Sequence, residues 1–195
     1  MSYWNRKTTR GMSTSRRLKL ESLENRLCLS TYTMVDLMPL ARHDASRAVG
    51  LNDNGLAVGD SYVPNVESAA VVWSVDQTGD AFPCDLPGLV AGQSEAAYEV
   101  NNQGMIAGEV GLHAVLWTPT SDPVHPYAVH DLGPGRASSV SEPDTDGNVW
   151  MVGESSNGGV LWQVDSEGTV LSTTDLEPTS SGSDAHDVKV IGNSV

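Results

Sequence analysis

The chain has 195 residues and a formal net charge of −14, with 19 glycines, 10 prolines, 6% aromatic residues and 18% charged residues. That is the profile of many short strands joined by turns, with no long helical run beyond the N-terminus. Seven bases against two acids in the first 27 residues give that segment +5 and leave −19 for the rest, which repels phosphate backbones and excludes a nucleic-acid binder.

No apolar run of about 18 residues is present, so no transmembrane helix is expected. The two cysteines, Cys28 and Cys84, are too few for a disulfide framework and lack metal-ligand spacing.

Residues 1–30 read as a basic amphipathic leader, flexible or helical. Within 15–30, Leu20, Leu23 and Leu27 fall at helical spacing with Arg and Glu between them, which predicts a short helix. No apolar core of an ordinary secretory signal follows Arg16-Arg17. The stretch Leu20-Glu21-Ser22-Leu23-Glu24-Asn25-Arg26-Leu27-Cys28-Leu29-Ser30 resembles the LExLExRxLLS leader of surface proteins from planctomycete bacteria, with Cys28 where leucine is usual. The resemblance implies an extracellular or cell-surface destination. Asn25-Arg26-Leu27 does not make a lipobox before Cys28.

From residue 31 the sequence repeats. One anchor is a pair of glycines, Gly55…Gly59, Gly104…Gly108 and Gly147…Gly153, each led by a polar triplet: Asn52-Asp53-Asn54, Asn101-Asn102-Gln103 and Asp144-Thr145-Asp146. Asn-Gly and Asp-Gly suit tight hairpins because they tolerate positive φ. The other anchor is an apolar strand ending in Trp73, Trp117 or Trp162, followed by Asp85-Leu86, Asp131-Leu132 or Asp175-Leu176. With the earlier Asp36-Leu37, the Asp-Leu spacings are 49, 46 and 44 residues.

Four candidate strands per unit is the content of a propeller blade, and a sheet apolar on both faces must stack on neighbours. The expected fold is all-β: repeated four-stranded antiparallel units, β-propeller-like, with about 3.5 to 4 blades. The units are placed at 42–89, 90–135 and 136–179, with partial units at 31–41 and 180–195. The half unit at the start is expected to complete the unfinished one at the end and close a small ring.

Ala97–Gly108, reading AYEVNNQGMIAG, and His113–Trp117, reading HAVLW, resemble the HAF family of extracellular repeats. Valine stands at 71, 115 and 160 where that family has phenylalanine. The resemblance implies location and architecture and brings no enzymatic activity with it.

The chemistry-bearing residues read mainly as structural. Asp144-Thr145-Asp146-Gly147-Asn148 is similar to the start of a calcium loop, with Glu142 and Glu154 nearby, but its place in the repeat marks it as a hairpin turn. His43, His113, His125, His130 and His186 do not recur at one repeat position and read as exposed or edge histidines. Ser138-Ser139, Ser180, Ser181 and Ser183 lie in connections, and a serine nucleophile with Asp184 and His186 has no supporting motif. The three strand tryptophans are core residues before they are sugar platforms.

The chain is therefore expected to be non-catalytic, without cofactor or metal: an extracellular or surface repeat protein that binds a protein or glycan, or serves as a scaffold, through variable loops such as 61–67 and 118–126. Open blade edges allow self-association. The alternative is a fragment or accessory module of a larger secreted enzyme or calcium- or carbohydrate-binding protein.

Overall fold

The computed structural model describes residues 34–76, 78–176 and 183–190; the leader, its expected helix and Cys28 lie outside them. Twelve strands form three four-stranded antiparallel sheets, each a simple meander. The first contains β1 (Ala45–Leu51), β2 (Leu56–Val63), β3 (Glu67–Val75) and β4 (Ala81–Asp85). The second contains β5 (Glu95–Val100), β6 (Ile106–Val110), β7 (His113–Pro119) and β8 (Tyr127–Pro134). The third contains β9 (Arg136–Val140), β10 (Val149–Ser155), β11 (Gly158–Val164) and β12 (Val170–Asp175). The four strands read from each repeat are thus present, and no helix occurs among the described residues. Among the same residues no ladder joins the two terminal segments, so the expected ring is not closed by strand pairing.

The sheets stack through both faces. Side chains alternate along a strand, so β2 and β3 send Val58, Ala70 and Val72 toward the second sheet, where they pack with Val100, Val115 and Trp117. The second sheet's other face gives Met105, Ala107 and Leu116 to a core shared with Val149, Met151 and Trp162. Trp73, Trp117 and Trp162 are at most 2% exposed, and each faces backward, toward the unit before its own. Leu37, Leu86 and Leu132, the leucines of the Asp-Leu pairs, lie in the cores of Trp73, Trp117 and Trp162 respectively. The indole N–H of Trp73 donates to the Met38 carbonyl and that of Trp117 to the Pro87 carbonyl, each at 2.8 Å. Truncating a buried tryptophan of this kind costs about 3–5 kcal/mol.

The two glycines of the first anchor serve different ends. Gly55, Gly104 and Gly147 sit in the turns at positive φ of 79°, 80° and 86°. Gly59, Gly108 and Gly153 are not turn residues: they pair with Ala48, Ala97 and Ala137, where the first strand of each sheet bulges. A Cβ on any of the three would collide with the carbonyl oxygen of the residue before that alanine. Beside the bulges, Arg47 pairs across the strands with Asp60, and Arg136 with Glu154.

Gly108→Val is expected to cost at least about 3 kcal/mol, because the new side chain meets both the Ala96 carbonyl and the Trp117 ring. Gly92→Ala, at positive φ in open space, should cost only about 1 kcal/mol. Urea midpoints of the two variants at unchanged m-value check the difference.

Candidate functional site

A meander places the β1–β2 and β3–β4 turns of each sheet at one end of the stack, and the β2–β3 turn and the link to the next sheet at the other. At the turn end the polar triplets join neighbouring sheets. Asn52 Oδ1 accepts from the N–H groups of Asn54 and Leu56, closing its own turn, and its Nδ2 donates 2.9 Å to the Asn101 carbonyl. Asn101 repeats the arrangement: Oδ1 accepts from Gln103 and Met105, and Nδ2 donates 2.8 Å to the Ser141 carbonyl. A second row runs outside it, with Asn54 Nδ2 donating to the Asn102 carbonyl and Asn102 N–H donating to Glu142.

In the third sheet the residue that closes the turn is no longer the one whose carbonyl meets the neighbour's amide. Asp144 Oδ1 accepts from the N–H groups of Asp146 and Asn148, so it caps its turn as the asparagines do. The neighbour's amide goes instead to Ser141, which lies at the end of β9 as Asn101 lies at the end of β5. The extra residues of this repeat therefore lengthen a hairpin tip and carry the turn away from the junction. The calcium-like motif works as a turn, and no group of three or more His, Cys, Asp or Glu able to hold a metal occurs among the described residues.

The opposite end holds two adjoining grooves. One, of about 540 Å³, is lined by Arg47, Asp60, Tyr62, Asn65, Glu67 and Ser94. The adjoining one, of about 330 Å³, is lined by Arg42, His43, Glu67, Asp85, Gln93 and Glu95. Arg42 bonds to Asp85 at 2.9 Å. Burial, reinforced by the charge of Asp85, raises the Glu95 carboxyl to about 7. Gln93 Oε1 is buried without a hydrogen-bond partner among the described residues.

His43 departs from the sequence expectation of an exposed or edge histidine, being only 7% exposed. Its Nδ1 lies 2.9 Å from Ser61 Oγ and its Nε2 lies 3.3 Å from Glu67. The order of groups is that of a Ser-His-acid relay, but Ser61 is fully buried and its hydroxyl accepts the Leu40 N–H. The hydroxyl therefore faces no substrate, and the three groups fasten the approach to β1 onto the sheet. No signal in the repeat exposes this contact, since Val110 stands in the second unit where Ser61 stands in the first, two residues beyond the bulge glycine.

The remaining histidines pair locally: His113 with Asp131, His125 with Asp122, His130 with Thr118 and His186 with Asp184. Burial lowers the His130 pKa and raises that of the Cys84 thiol. Ser183 Oγ accepts the Gly159 N–H, so it is engaged apart from His186. Of the three strand tryptophans, Trp117 and Trp162 are enclosed between sheets and Trp73 beneath Leu37 and Leu40, so none offers a ring face to a sugar. The variable loops 61–67 and 118–126 lie at opposite ends, because the first is a β2–β3 connection and the second is a β7–β8 connection.

A further cavity, of about 420 Å³, is lined by β1 through Val49, Gly50 and Leu51, by β5 through Tyr98 and Glu99, and by Ser138, His186 and Asp187. Burial raises the pKa of Glu99, against the pull of Ser139 and the Val140 N–H, while Asp187 adds to the rise. In comparisons with known proteins, no family model matches the chain and no curated protein matches it.

Asn101→Asp keeps an oxygen to close the turn but removes the amide that reaches Ser141 and buries a charge in its place. It is expected to cost about 2–4 kcal/mol, against roughly 0.5 kcal/mol for Asn102→Ala on the exposed row. Chemical denaturation of both variants checks this.

Proposed function

We propose that the protein is a non-catalytic binding module of the cell exterior, built as a small propeller-type array of blades. The observation that carries this reading is where the recurring residues go. The asparagines Asn52 and Asn101, the strand tryptophans, the leucines Leu37, Leu86 and Leu132 and the bulge glycines are spent on packing the sheets, joining them or closing turns. The residues that do not recur, Arg42, His43, Glu67 and Gln93 among them, gather at the loop end around the two open grooves. A rigid stack that presents a non-repeating polar groove suits recognition, since binding residues held on a fixed scaffold lose little freedom on complex formation.

Three features support this reading. The enclosed Ser61 hydroxyl gives no nucleophile at the groove. The strongly acidic body disfavours nucleic acid. The resemblance of the leader and of the repeat to surface proteins favours the exterior of the cell. The groove's alternation of Arg42 and Arg47 with Glu67, Asp85 and Asp60 fits a ligand that both donates and accepts hydrogen bonds, such as a glycan or an extended peptide.

Fractionation of the source cells with an antibody to the folded domain tests it. The chain is expected on the cell surface, and an Arg42→Ala/Glu67→Ala double variant is expected to shift into the medium while remaining folded, because both side chains are more than half exposed. Recovery from the cytosol alone, or surface retention equal to that of the unaltered chain, would contradict it.

A further inference from the structure

The junctions of the repeat are not filled alike. Counted from the bulge alanine, residues 48–51 of β1 correspond to 97–100 of β5 and 137–140 of β9. Ala97, Val100, Ala137 and Val140 are at most 4% exposed, because the blade before each covers them. Val49 is 51% exposed and Leu51, the counterpart of Val100, is 71% exposed.

Part of a preceding blade is nevertheless in place. Leu37 and Leu40 pack against Trp73, and Met38 takes its indole proton, as Leu86 and Pro87 do for Trp117. Residues 34–40 therefore take the place that the end of the fourth strand and its Asp-Leu pair take in the next unit. Beside them an apolar cavity of about 290 Å³, lined by Val35, Leu37, Val49, Leu51, Ala57 and Val75, marks where second and third strands would press.

Residues 183–190 supply the complementary piece on the far side of the third blade. Ala185 falls where the bulge alanines fall, four residues ahead of Lys189 as Ala97 is ahead of Asn101. Its N–H donates to the Gly153 carbonyl. Val188 N–H donates to Ser139 Oγ at 3.3 Å, just as Val140 N–H donates to Glu99 at 3.1 Å. His186 and Asp187 line the same cavity as Val49, Gly50 and Leu51, so this first-strand segment faces β1 across it.

We propose that 183–190 and 34–40 occupy the first- and fourth-strand places of one blade, and that the space between those places docks a β-hairpin of this same repeat. The occupant's chemistry follows from the two complete junctions. Its second strand places a glycine opposite Ala185, where a side chain would strike the bulge. Its two strands carry small or β-branched apolar residues toward Leu51, as Val58, Ala70 and Val72 do toward Val100. Among the described residues no ladder includes 183–190, whose main-chain groups suit strand addition. The proposal rests on repeat geometry and not on the loop-end groove, so it and the functional reading above fail separately.

The probe is a labelled peptide of residues 101–119, the chain's own β6–β7 hairpin, titrated against the full chain by fluorescence anisotropy. Saturable one-to-one binding is expected, weakened about tenfold or more by Leu51→Asp in the full chain without a change in Tm, since Leu51 is already exposed. A free hairpin is only marginally stable in water, so the same hairpin is also fused through a flexible linker behind Val195. The fusion is expected to raise Tm, and Leu51→Asp is expected to cancel the rise. No peptide binding together with an unchanged fusion Tm overturns the proposal, as does binding that Leu51→Asp leaves intact.

Discussion

Each sheet of this protein is apolar on both faces and cannot stand in water alone, so the interaction on which the rest depends is the one that fixes the distance and register between sheets. At the turn end that interaction is a buried asparagine amide. Its oxygen closes its own turn with two backbone N–H groups, and its nitrogen satisfies a carbonyl of the next sheet. A side chain that must do both tolerates little substitution: aspartate closes the turn but cannot donate, and serine is too short to reach. In the third sheet Asp144 closes the turn, while Ser141 supplies the carbonyl that the Asn101 amide satisfies.

The second fastening lies deeper, where an Asp-Leu leucine sits under the next tryptophan and the following carbonyl takes the indole proton. Between the first and second sheets the amide and the indole thus hold the junction at two separated points, which resists both sliding and hinging; between the second and third, the Asn101 amide reaches Ser141 and Leu132 shares the core of Trp162. Between them the bulge lets the first strand bend against its neighbour, and the glycine opposite gives the bulged carbonyl room. With the frame fixed this way, the connections at the loop end are free to vary, and Arg42, His43, Glu67, Gln93 and Glu95 assemble there without counterparts in the other sheets.

Much of the architecture was legible because it repeats. The polar triplets, the Trp strands and the Asp-Leu pairs gave four strands per unit and placed the tryptophans in the core, where they lie. The roles within the glycine pairs were not legible: Gly55 and Gly59 look alike as letters, but one answers to a backbone angle and the other to a carbonyl across the sheet. Likewise the Asp144 triplet aligned by its turn, while the carbonyl that meets the neighbouring sheet belongs to Ser141, outside the triplet. His43 and Ser61 escaped notice because their contact occurs once, and repetition cannot reveal what does not recur. The two variable loops were distinguishable by length, but which end each occupies follows only from counting strands in the meander.

The central claim is that the double fastening makes three marginal sheets into one cooperative body. Native-state hydrogen exchange across rising denaturant tests it most directly. The slowest amides of β2, β6 and β10 are expected to converge on one unfolding free energy and one denaturant slope. A separate, lower free energy and smaller slope for the amides of any one sheet would contradict it.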